Sequence, residues 1–151
     1  MKNFEIVSAS PHDREWAAQL FANNEPWVTL GTTIEQTRIA CNDNEYLVYV
    51  AKLNSESCGA IILHKLGLAS SPYIKSIAVD KNYMGRGVGK ALMEFTENIF
   101  SKTANHLFLC VSSFNVSARA FYEHLGYISV GEFKDYVIKG ESEILMHKRL
   151  K

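Results

Sequence analysis

The chain has 151 residues, sixteen basic against sixteen acidic side chains, and 47% hydrophobic, 21% charged and 11% aromatic residues. This is the make-up of an ordinary globular protein; it excludes disorder, collagen-like repeats and coiled coil, and the length suits one domain spanning 1–151. The charge balance removes a general electrostatic case for nucleic acid or an anionic membrane as partner, while leaving room for a local anion site.

Phe4 to Val7 reads as a first strand. Ser10, Pro11 and Asp13 then combine an N-cap, a proline at the first helical position and an early acid, and Trp16, Ala17, Leu20 and Phe21 follow at helical spacing. A loop through Pro26, Trp27 and Gly31 leads to Thr32, which with Glu35 forms a capping-box pattern for a second helix ending near Cys41. Two apolar runs, Tyr46 to Lys52 and Cys58 to His64, are joined by the polar stretch Leu53 to Ser57, as in a hairpin. Beyond Gly67 to Pro72 a third strand of this group covers Tyr73 to Val79, followed by a polar connection from Asp80 to Met84.

After a glycine cluster, Val88, Ala91, Leu92, Phe95 and Ile99 mark one face of a long helix. Leu107 to Val111 is an unbroken apolar run suited to a strand covered on both faces. Asn115 caps a helix whose Ala118, Phe121, Tyr122 and Leu125 share a face, and Gly126 stops it. Closing strands at Tyr127 to Phe133 and Glu143 to Lys148 flank a turn at Gly140.

Cys41, Cys58 and Cys110 have no C-x-x-C spacing and read as reduced packing thiols of a cytoplasmic protein. Met1 to Ser10 lacks the charged region and apolar run of a targeting peptide, and no stretch is apolar for long enough to span a membrane, so a soluble protein is expected. The five histidines show no paired metal-ligand spacing, and no metal is expected.

The segment Met84-Gly85-Arg86-Gly87-Val88-Gly89-Lys90 carries the most chemistry. Alternating glycines let the backbone turn tightly and aim several N–H groups at one point, where a helix begins; Arg86 and Lys90 add positive charge. A phosphate suits such a nest. The spacing fits neither nucleotide-fold motif: a dinucleotide fingerprint begun at Gly85 needs glycine where Lys90 stands, and a phosphate-binding P-loop needs Ser or Thr where Ala91 follows Lys90.

Ile77-Ala78-Val79 followed by Gly87 and Gly89 resembles the acyl-CoA pyrophosphate loop of the GNAT family of N-acetyltransferases, with Met84 at a position usually held by Gln or Arg. Across the next strand, Asn115, Ala118, Phe121, Tyr122, Gly126 and Tyr127 are similar to the family's second motif. The resemblance implies an α/β fold: a mixed, mostly antiparallel central sheet of six to seven strands flanked by about four helices. It further implies acetyl-CoA as cosubstrate and no metal. Gly85 to Lys90 would cradle the pyrophosphate, Ile77, Ala78 and Val79 would line the pantetheine, and Asn115 and Ala118 would flank it.

By the same resemblance Tyr122 is the general acid. A phenol remains protonated at neutral pH and can donate to a departing thiolate. Many family members place a glutamate base where Tyr73 stands, and the strand Tyr73 to Val79 has no carboxylate; Glu45, His64 or a water held by Tyr73 and Ser112 are substitutes, or the amine loses its proton to solvent. Trp27, Thr29 and Leu30, with Tyr73, Asp135 and Tyr136, are expected on the acceptor side, suiting a small amine or a peptide N-terminus. A longer acyl-CoA and a homodimer are both compatible with the sequence. The other readings are a non-catalytic acyl-CoA-binding regulatory module and, less well supported, a nucleotide-binding domain.

Overall fold

The computed structural model describes residues 3–151. Its strands are β1 (Glu5–Ser8), β2 (Leu47–Leu53), β3 (Glu56–Leu68), β4 (Ser71–Val79), β5 (His106–Ser112), β6 (Ile128–Lys134) and β7 (Ser142–Arg149). They form one seven-stranded sheet in the order β1-β2-β3-β4-β5-β7-β6. Every neighbouring pair is antiparallel except β4 with β5. The mixed, mostly antiparallel sheet expected from the sequence is thus present.

Helices cover both faces. On one side α1 (Pro11–Ala22) and α3 (Ile34–Asn42) enclose a core of Ala17, Ala18, Phe21 and Cys41 against Val48, Val50, Ala60 and Ile62 of the sheet. On the other, α4 (Val88–Phe100) buries Val88, Leu92, Met93 and Phe100, and α5 (Val116–His124) contributes Tyr122, against Ile61, Leu63, Leu107, Leu109 and Met146. The alternation along β3 and β5 decides which residues reach which core.

Local chemistry explains the helix starts. The Ser10 hydroxyl accepts from Asp13 N at 3.1 Å while Asp13 Oδ2 accepts from Ser10 N at 3.0 Å, a reciprocal box that opens α1 at Pro11. Asp13 Oδ1 also faces Lys52 Nζ at 3.2 Å, tying this cap to β2. Tyr127 is fixed to α4 by its hydroxyl, which donates to Glu97 Oε2 at 3.0 Å, and Lys148 of β7 reaches Glu97 Oε1 at 2.8 Å. No helix among the described residues is long and apolar enough to cross a membrane.

Several boundaries differ from expectation. The box of α3 uses Thr33 and Gln36, one residue beyond Thr32 and Glu35, because it is Thr33 that adopts the extended backbone of a cap. The loop before it contains a single helical turn, α2 (Trp27–Leu30), closed by Gly31. The hairpin between β2 and β3 turns on Asn54 and Ser55 alone, both with positive φ, and β3 continues through Gly67 to Leu68 before a second tight turn at Ala69 and Ser70. A short 3₁₀ turn, Lys81–Tyr83, occupies the polar connection after β4. The expected cover on both faces of β5 is incomplete: Leu107, Leu109 and Val111 are buried, whereas Phe108 and Cys110 are only half-buried on the face without a helix.

Candidate active site

The parallel pair β4 and β5 is joined at Tyr73 with Phe108 and Ile74 with Leu109, and beyond these residues the ladder stops. The strands therefore part, and a cleft of about 1000 Å³ runs between them. β4 keeps its other edge on β3, where Asp80 N donates to Cys58 O at 2.8 Å. Because backbone direction alternates along a strand, Ile77 and Val79 turn their N–H groups away from β3 into this gap. A parted parallel pair offers unpaired backbone groups to an extended ligand.

The glycine segment stands at one end. Gly85 and Gly87 have φ of +75° and +87°, and a Cβ at either would meet nothing within 4 Å, so it is backbone conformation and not crowding that requires glycine there. Gly87 is the N-cap of α4 and supplies no side-chain cap, leaving the first N–H groups of the helix without partners inside it. Met84, Gly85, Gly87, Val88, Gly89 and Lys90 line the cleft, and Lys90 also approaches Glu94 at 3.8 Å. Arg86 is not part of this wall; its guanidinium lies over the ring of Tyr83, 5.3 Å from the centroid.

Ile77, Ala78 and Val79 form the β4 wall, while Asn115, Ala118, Phe121 and Tyr122 form the opposite one. Asn115 occupies the N-cap position of α5 but makes no capping bond with its side chain, contrary to the plain capping role, so its amide is free to face the cleft. The Tyr122 ring is 7% exposed, and burial raises its ionisation well above the ordinary phenol range. No group among the described residues hydrogen-bonds its hydroxyl, a proton donor on the cleft wall.

At the far end Trp27, Leu30 and Tyr73 line the cleft, Trp27 packing edge-on against Phe21. Thr29, Asp135 and Tyr136 do not. The Thr29 backbone and hydroxyl both donate to Glu25, which turns them back onto α2. Asp135 accepts from Gly140 N at 2.6 Å and so closes its own turn, and Tyr136 is 70% exposed beside Phe133. Of the substitutes named for a base, Glu45 and His64 face each other at 3.9 Å outside the cleft wall, whereas Tyr73 and Ser112 are on it.

Burial, the Cys110 thiol and the nearby Glu143 carboxylate all raise the ionisation of Tyr73, so it is no base at neutral pH. Cys110, expected to be a packing thiol, lines the cleft and is itself raised by burial and by Glu143, against a lowering by Tyr73. Glu143 is among the wall residues that sequence reasoning missed. It looked like an ordinary first residue of a strand, and only its alternation with Ile144 signalled which face it takes. Among the described residues no group of three or more metal-binding side chains comes together.

The Acetyltransferase (GNAT) family model matches residues 10–127. An uncharacterized N-acetyltransferase of Methanocaldococcus jannaschii is 36% identical over 103 residues, 67% of this chain and 65% of that protein, so the match spans just under two thirds of the relative. The ribosomal-protein-S18-alanine N-acetyltransferase of Escherichia coli superposes with a TM-score of 0.80 at 22% identity, covering 99% of this chain and 95% of its own, which shows a shared fold. A Bacillus anthracis protein assigned as a streptothricin acetyltransferase, solved in complex with acetyl coenzyme A, superposes with a TM-score of 0.65 at 28% identity over 72% of this chain and 64% of that one.

Proposed function

The chain belongs to the GNAT acetyltransferase family, and from that premise we propose that it is an acetyl-CoA-dependent N-acetyltransferase, its whole length acting as one domain. The acetyl group passes directly from the thioester to a primary amine, on a small molecule or a protein N-terminus. The observation that carries this reading is the coincidence, in one cleft, of the parted β4 and β5 strands, the positive-φ glycines at the start of α4, and the buried Tyr122.

In this reading the pyrophosphate lies against the N–H groups of Gly85 to Gly89 with Lys90 beside it, where aligned amides and the helix start favour negative charge. The pantetheine arm runs along β4 as an added strand, bonding the amides of Ile77 and Val79, and Asn115 binds it from α5. One of the β4 N–H groups polarises the thioester carbonyl. The amine enters past Trp27 and Leu30 and attacks the carbonyl carbon. As the C–S bond breaks, Tyr122 gives its proton to the thiolate, and its burial keeps it protonated until that moment.

The acceptors named for the neighbours, alanine of ribosomal protein S18 and streptothricin, support an amine acceptor. The three free cysteines suit a cytoplasmic site of action. Thiol release from acetyl-CoA against a panel of amines, polyamines, amino acids and peptides tests the reading, together with calorimetry of CoA, ATP and NAD. Turnover with any of these amines and binding of CoA but not ATP or NAD is the expected result. CoA binding with no turnover on any acceptor makes the protein an acyl-CoA-binding regulatory module instead, and ATP binding without CoA binding removes both.

A further inference from the structure

We infer that Glu143 is the acceptor-side carboxylate of this enzyme, holding the substrate ammonium and taking its proton as the nitrogen attacks. The inference rests on the acetyl-transfer reading and supplies the base which that reading lacks. It begins with strand order: β7 lies between β5 and β6, and Glu143 is paired with Ser112 at the end of β5 that borders the cleft. The Ser112 hydroxyl, 1% exposed, donates to Glu143 Oε2 at 2.7 Å. That bond fixes the carboxylate, and its Oε1 has no partner among the described residues.

Two carboxylates stand on the cleft wall, Glu25 and Glu143. Glu25 is occupied, accepting both the backbone N–H and the hydroxyl of Thr29 at the first turn of α2. Glu143 makes no ion pair among the described residues, although the wall also carries Lys75 and Lys90; Lys75 is turned over the Tyr46 ring, 5.3 Å from its centroid, and Lys90 toward Glu94. The titratable groups facing Glu143 are Tyr73 on β4 and Cys110 on β5, with Tyr136 beyond Tyr73. Tyr73 and Cys110 both stay neutral, being pushed upward partly by the negative charge of Glu143 itself. A carboxylate without an ion pair among neutral neighbours, lining the same cleft as the apolar Trp27 and Leu30, fits a cationic amine carried on an apolar or extended body.

The proton count closes. The ammonium gives one proton to Glu143, the freed nitrogen forms the C–N bond, and the C–S bond breaks with its electrons on sulfur, which Tyr122 protonates. The second nitrogen proton is lost as the amide forms and restores Tyr122 through solvent, while Glu143 releases its own proton to solvent. One proton leaves overall.

The test compares wild type with Glu143→Gln and Glu143→Asp, using the amine that gives most thiol release in the panel. The amide oxygen in Glu143→Gln can still accept from Ser112, so the fold is expected to be retained, and CoA affinity by calorimetry reports this directly. Expected for Glu143→Gln is a fall in kcat/KM of about 10²-fold or more at pH 7, with CoA affinity unchanged, shrinking as pH rises toward the acceptor's own pKa. Glu143→Asp should recover part of the loss. Activity within about threefold of wild type across that pH range overturns the assignment while leaving acetyl transfer intact, as does a loss that does not change with pH. Wild type that releases no thiol with any acceptor overturns the acetyl-transfer reading and this inference with it.

Discussion

A Cβ placed on Gly89 would stand 3.3 Å from Cζ of Phe121, so the first turn of α4 and the ring on α5 meet across the mouth of the cleft. The glycine segment is thus constrained in two different ways. Gly87 is favoured by its φ of +87° in open space, whereas at Gly89 a side chain would press on a neighbouring ring, which must give by a few tenths of an ångström.

These constraints predict different failures. Gly87→Val forces a β-branched residue into a left-handed conformation, at a cost of about 1–3 kcal/mol, or loses the loop geometry that the pyrophosphate needs. CoA affinity should fall about tenfold or more. Gly89→Val should also weaken CoA binding, by displacing Phe121 and narrowing the cleft. Met84→Gln, at an exposed position that offers mainly backbone, should change affinity far less. Calorimetric titration of the three variants with CoA checks the order, and a larger loss in Met84→Gln than in Gly87→Val is the result that contradicts it.

Tyr122→Phe keeps the ring in its core position and removes the hydroxyl alone. Acetyl-CoA affinity should change little while turnover with a good amine falls by roughly 10²- to 10⁴-fold. Since burial holds the phenol above its ordinary value of 10.0, Tyr122 should impose no alkaline fall on the wild-type rate below that pH. Full turnover by Tyr122→Phe at saturating acetyl-CoA would show that the thiolate takes its proton elsewhere.

Asp13 carries a pH-dependent part of the stability. Burial pushes its carboxyl upward, but bonds from the Ser10 backbone, Lys52 and the Ser10 hydroxyl together outweigh this, and the folded value lies below the ordinary 3.8. A carboxylate depressed by folding contributes above its unfolded pKa and loses that contribution as pH falls through its folded value. Asp13→Ala should cost about 1–2 kcal/mol at pH 7, through the lost cap and the partner taken from Lys52. In urea unfolding the gap between wild type and variant should be constant from pH 7 to pH 5 and close below pH 4. A gap that persists at pH 2 would place the effect in packing.

What the sequence determined by itself was local. Ser10 with Pro11 and Asp13, Gly85 with Gly87, and Gly126 each dictate a cap or a left-handed turn through interactions spanning a few residues, and the structure has all three. The loop and helix motifs that pointed to acyl-CoA are of this kind, and so is Tyr122, whose face follows from helical spacing with Ala118 and Phe121. The acceptor end was decided by tertiary structure. Whether Thr29 or Leu30 faces the cleft depends on a single helical turn in which Glu25 accepts from Thr29, and whether Asp135 does depends on a bond to Gly140. Glu143 reaches the site only because β7 pairs with β5 and Ser112 falls opposite it. Strand order and register are set by burial summed over two cores and by the stopping of the β4–β5 ladder, and these are sums over residues far apart in the chain, which no local pattern encodes.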